Sequence, residues 1–259
     1  MPNRLPKAFL TLAAWLVATV AVGAVSRPQA SGPTEIVGLL STGIAWNVLA
    51  ALAVLAVATR AFGWRDLGFD PPQVRSVARV VWFPILTLLP FYVIALAIGL
   101  PPTGAVLFLA LNAALVAVSE EWMFRGILFQ ALRSRLSIWP ALAISSLLFG
   151  AIHVLNAFAL GDIRFAAAQA AAAMMTGLLL GALRLRTGSI WTAIAYHLFW
   201  NFGILLVAQE TVTHPLPEGP LPPSTYVVPI LVVLPNFLYS LILVRKLRHH
   251  PRTGQDGLA

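Results

Sequence analysis

Polar residues interrupt this chain at wide, nearly regular intervals, and between them lie eight apolar runs: 8–25, 36–59, 80–99, 104–132, 138–159, 165–183, 189–208 and 226–244. Each is close to the roughly 20 residues that a helix needs to cross a bilayer. The runs are near-continuous rather than alternating in ten-residue pieces, which predicts helices and not a barrel. The second run, 36–59, reads as one span. The fourth is longer than a straight span requires and predicts a tilt, a break or an amphipathic end near residues 130–135. Pro84 and Pro90 predict kinks in the third run, and Pro229 and Pro235 in the eighth. Loops are short except for 60–79 and the proline-rich 214–223.

Composition agrees. Of 259 residues, 59% are hydrophobic and 10% charged, and the mean hydropathy is +0.85; a soluble domain carries about 25% charged residues. The expected fold is all-α: a polytopic membrane protein of about eight transmembrane helices, forming one membrane domain over 1–259. No cysteine is present, which excludes a disulfide framework, a thiolate metal site and a cysteine nucleophile. The net charge of +8 is read as topology and not as affinity for nucleic acid. With a cytoplasmic amino terminus, 15 of the 17 basic residues fall on the inner half and only Arg27 and Arg164 on the outer. Both termini are therefore expected in the cytoplasm of a cell, most simply a bacterial one, and 245–259 is a basic tail. The first run, about 18 residues, exceeds the usual 7–15 of a signal core and reads as a retained helix.

Against this background the polar exceptions stand out. Glu120 and Glu121 sit in the fourth run and Arg125 comes four residues later, whereas the other carboxylates lie outside the apolar runs. A carboxylate at a helix centre costs about 2.5–3.5 kcal/mol even on lenient scales. His153 lies in the fifth run, His197 and Asn201 in the seventh. Helical spacing puts Glu121 and Arg125 on one face, as it does His197 and Asn201, while Glu120 is rotated by about 100° from Glu121. At about 1.5 Å per residue, Glu120, His153, His197 and Asn201 share one slab of the bilayer. They predict a polar pocket between the fourth, fifth and seventh spans.

That set suits hydrolysis. Glu120 with His153 could hold and deprotonate water, and His197 with the Asn201 amide could stabilise an oxyanion. Alternatively Glu120, His153 and His197 supply the O, N and N ligands of a divalent metal such as zinc. Glu121 and Arg125 read as a supporting pair. Asn112, Asn156 and Gln169 read as interhelical packing, and the tryptophans as packing or interfacial belt.

The motifs resemble the CPBP family of intramembrane proteases (CAAX protease and bacteriocin-processing, or Abi). EExxxR is Glu120–Arg125, FxxxH is Phe149–His153, and HxxxN is His197–Asn201. The lead-in Arg186-Thr187-Gly188-Ser189-Ile190-Trp191 and the loop Trp64-Arg65-Asp66-Leu67-Gly68-Phe69 are also similar. The family-like core runs from about 67 to 208, with the first two helices before it and the last after it. The resemblance implies an eight-span endopeptidase like the type II CAAX prenyl endopeptidase. Its partners would be the lipid bilayer and a membrane-associated peptide or protein, prenylated or of leader type. It implies Glu120 and His153 as water activators, His197 and Asn201 as the oxyanion site, and Glu121 and Arg125 as supports, and it leaves the metal open.

Other intramembrane protease classes lack their signatures: there is no HExxH, no GxSG, and no aspartate within a run. Two further readings use the same residues. One is a non-catalytic immunity or scaffold protein of the same fold. The other is a proton-coupled transporter with Glu120 and the histidines as a relay, for which symmetric, matched helix breaks are missing.

Overall fold

A computed structural model describes residues 4–26, 33–214 and 222–245. The expectations for Arg27, for most of the 214–223 loop and for the tail beyond Arg245 lie outside the described residues. All regular structure among the described residues is helical. In chain order the principal helices are α1 Arg4–Ser26, α2 Pro33–Thr42, α3 Trp46–Ala61, α4 Val74–Ile98, α5 Thr103–Arg133, α6 Ile138–Asn156, α7 Ile163–Thr187, α8 Ile190–Ala208 and α9 Ser224–Val244. Seven spans pass on length and apolarity, and α2 with α3 supplies an eighth if that pair crosses as one. The protein is an all-helical polytopic membrane protein.

The surface is apolar where a soluble protein's would be charged. Val25, Val57, Leu96 and Leu107 are among the largely exposed side chains, as lipid contact requires. The centre is α7, whose most apolar stretch is 67% buried, against 17% for α4. Its sequence explains this: alanines and glycines dominate, and small residues let neighbouring backbones approach. Helices α6, α9 and α8 pack around it. Gly150 of α6 shows how close they come, since a Cβ there would lie 2.6 Å from the Ala170 carbonyl oxygen of α7. Capping agrees with the sequence too. Asp162 accepts from the Arg164 and Phe165 amides to start α7, and Ser189 accepts from the Trp191 amide to start α8.

One expectation is sharpened and one corrected. The run 36–59 is a bent pair that makes the eighth span if it crosses as one: α2 and α3 meet at 72° across Gly43–Ala45. The cause is Asn112 of α5. Its Oδ1 accepts from the Ala45 amide, and its Nδ2 donates to the Leu40 and Gly43 carbonyls at 2.9 and 2.8 Å. A break in hydrocarbon is tolerated when the freed backbone groups find partners, and one buried amide supplies three. The correction concerns the end of α5: of the tilt, break or amphipathic end expected there, the amphipathic surface is ruled out. Gln130 and Arg133 are buried; Gln130 donates to the Asp66 carbonyl and Arg133 to the Leu136 carbonyl.

The length of α5 has a further consequence. It is α-helical to Glu121, π-helical over Trp122–Leu128, and α-helical again to Arg133. In the wide stretch the Phe129 amide reaches back five residues to the Phe124 carbonyl, which also accepts from Ser145 of α6 at 3.1 Å. Such segments are rare and concentrate at functional sites.

Candidate active site

The π-helical stretch begins immediately after the two glutamates and re-aims the side chains from Trp122 onward. Glu121 is fully buried, and its Oε1 receives Nη1 of Arg125 at 2.9 Å, the i,i+4 pair expected from spacing. The same oxygen also receives Nδ1 of His197 at 2.9 Å, a bond from α8 that spacing could not reveal. A carboxylate can only accept, so His197 carries its proton on Nδ1. Arg125, itself buried, donates through Nη2 to the Gly177 carbonyl of α7 at 3.1 Å. One carboxylate thus joins α5 to α8 directly and to α7 through its arginine.

Glu120 takes the other side of the same imidazole. Its Oε2 lies 3.7 Å from Nε2 of His197, and its side chain is 17% exposed. The His197 ring therefore stands between two carboxylates, bonded to the buried one and facing the accessible one.

His153 ends the α-helical part of α6, where the backbone tightens into a 3₁₀ turn over Val154–Asn156. Its Nδ1 is 2.7 Å from the Phe149 carbonyl. A carbonyl only accepts, so Nδ1–H donates and Nε2 is left free. Phe149 is the hub that sequence reasoning used only as a motif letter. Its ring meets those of His153 at 4.9 Å and His197 at 6.0 Å, and the Arg125 guanidinium sits 4.3 Å from its centroid. Asn201 comes one turn after His197 on α8, is half-buried, and has no hydrogen-bond partner among the described residues.

The structure brings Glu120, Glu121, Arg125 and His197 into direct contact and adds His153 through Phe149. Among the described residues no hydrogen bond or ion pair links Glu120 to His153 or to Asn201. The metal reading fits less well. No group of three or more His, Asp or Glu side chains has metal-ligand geometry among the described residues, and Glu120, His153 and His197 do not converge as a ligand set.

The bundle thus holds a buried Glu–Arg–His network beside an accessible carboxylate, a set of groups that can support hydrolysis within a membrane. Residues 102–203 match the family described as type II CAAX prenyl endopeptidase Rce1-like. This stretch, which runs from α5 into α8 and carries every site residue named above, is similar to that family, and the match supports a CAAX-type intramembrane endopeptidase. None of the curated proteins matches the sequence.

Proposed function

We propose that the protein hydrolyses a peptide bond of a membrane-associated peptide, prenylated or of leader type, with Glu120 as the general base. Glu120 Oε2 takes a proton from water while Nε2 of His153 accepts the second water hydrogen, and the oxygen attacks the scissile carbonyl carbon. The negative charge that develops on the carbonyl oxygen is met by Nε2–H of a protonated His197 and by the Asn201 amide. The imidazolium is held in place by its Nδ1–H bond to Glu121. Collapse of the tetrahedral species breaks the C–N bond, and the proton on Glu120 passes to the leaving amine. General base catalysis contributes about 10²–10⁴ in rate, and each oxyanion donor about 10²–10³.

The observation that carries this reading is the imidazole between two unequal carboxylates, one buried and bonded through Oε1 to Arg125 and His197, one accessible. A scaffold or immunity protein has no use for that asymmetry. The enzyme would lie in the cell membrane as one membrane domain, with both chain ends on the cytoplasmic side. Glu120→Ala and His153→Ala are expected to leave the amount of protein in the membrane unchanged while an uncleaved precursor accumulates, read by terminal-peptide mass spectrometry of membranes. Undiminished cleavage by Glu120→Ala would contradict the assignment.

A further inference from the structure

The loop between α3 and α4 takes no part in this chemistry, yet its six residues from Trp64 to Phe69 are bound to the catalytic helices at many points. Asp66 accepts from Nη1 of Arg4 at 2.8 Å, and its carbonyl accepts from Gln130 of α5 at 3.0 Å. Leu67 is buried, and its backbone oxygen lies 3.5 Å from where a Cβ on Gly126 would stand, inside the π-helical stretch. Gly68 has φ +86°, and a Cβ there would occupy the space of the Arg184 guanidinium, so only glycine lets the loop lie this close to α7. The Gly68 carbonyl accepts from the Ile190 amide at 2.8 Å, and the Phe69 carbonyl from Nε1 of Trp191 at 2.8 Å. The Phe69 ring stands edge-on between Trp122 (5.2 Å) and Trp191 (5.7 Å) and packs against the cluster of Ala117, Ile190 and Ile194.

Those two tryptophans have particular positions. Trp122 is the residue after Glu121, and Trp191 lies on α8 six residues before His197, about 9 Å along the helix. The bond between these helices, His197 Nδ1 to Glu121, tolerates little displacement, because hydrogen bonds weaken past about 3.2 Å. Ordering a loop costs about 1–2 kcal/mol per residue, and a connection between two helices does not by itself need one so fully fixed.

We propose that Trp64–Phe69 is a strap that sets the spacing of α5 and α8, with Phe69 as a positioning residue for the Glu121–His197 bond. This rests on the reading of that pair as part of the active site, and the strap itself is read by a spectroscopic signal, with proteolysis serving only to test the catalytic reading separately. The His197 Nδ1–H signal is recorded by nitrogen-15 NMR of histidine-labelled protein in nanodiscs and assigned with His197→Gln. In Phe69→Ala it is lost to solvent exchange or displaced as far as in Glu121→Gln. In Phe69→Leu, which keeps the wedge, it stays in place. Trp191→Phe, lacking only the bond to the Phe69 carbonyl, displaces it by less. Trp82→Ala removes an exposed ring elsewhere on the bundle and leaves it unmoved. An unmoved signal in folded Phe69→Ala overturns the strap; should that variant not fold, an unmoved signal in Trp191→Phe does so. A signal that tracks Phe69 while glutamate variants keep full proteolysis would instead overturn the catalytic reading and leave the strap standing.

Discussion

Asn112 and Glu120 lie eight residues apart on α5, both costly in a bilayer, and their surroundings are opposite. Asn112 is 1% exposed and makes three hydrogen bonds, all to the backbone where α2 gives way to α3. Glu120 is partly exposed, and Nε2 of the His197 ring that faces it is at 3.7 Å, beyond hydrogen-bond distance. The same division separates Asn112 from Asn201, and Glu121, buried with Oε1 bonded to Arg125 and His197, from Glu120. Where this protein uses a polar group to hold its fold, the group is buried and bonded. Where the group keeps bonding capacity and access, reacting molecules can use it.

The largest expected effect breaks the buried, bonded side of the comparison. Arg125→Leu leaves the Glu121 charge buried without its arginine, and removing one partner of a buried pair costs about 3–5 kcal/mol. Unfolding of the purified variant in detergent measures this, and activity falls with the folded fraction. Next comes the accessible side: Asn201→Ala is expected to lower turnover by about 10²–10³, while its unfolding free energy stays within about 0.5 kcal/mol of the parent. Asn112→Ala should do the reverse. It strands buried backbone groups at the helix break, at about 1–3 kcal/mol, and turnover per folded molecule is unchanged.

The smallest effect lies at the loop before α7. Partial burial pushes the Asp162 carboxyl up, but bonds from the Tyr226 hydroxyl at 2.9 Å and from the Phe165 and Arg164 amides, with the Arg164 charge, outweigh it. Its pKa is held below the ordinary carboxylate value. Its stabilisation is therefore present above the unfolded value of about 3.9 and is lost as pH falls through the lower folded value. Acid titration of the melting temperature should be shallower below about pH 4 in Asp162→Asn and indistinguishable near neutrality.

The sequence made the spans legible because a 20-residue apolar run needs no partner to be recognised. It also exposed Glu120, Glu121, Arg125, His153, His197 and Asn201, since a polar residue in such a run is costly wherever it points. What stayed hidden depends on long-range contact. The break between α2 and α3 is held by a side chain 67 residues away from Ala45, and Glu121 meets His197 across 76 residues. The stretch WMFRGIL carries no periodic mark of its π-helical state, which reflects packing against Leu67 and Ser145. Helical spacing alone therefore gave Glu121 a brace on its own helix, without the imidazole that it also holds.

The measurement that bears most directly on the central claim compares Glu120→Gln with Asn112→Ala in the same nanodiscs, recording precursor cleavage and melting temperature for each. Glu120→Gln should melt as the parent does and cleave about 10²–10⁴ times more slowly, while Asn112→Ala melts lower and cleaves normally when folded. Parental cleavage by Glu120→Gln, at an unchanged melting temperature, would contradict the role of Glu120 as the base.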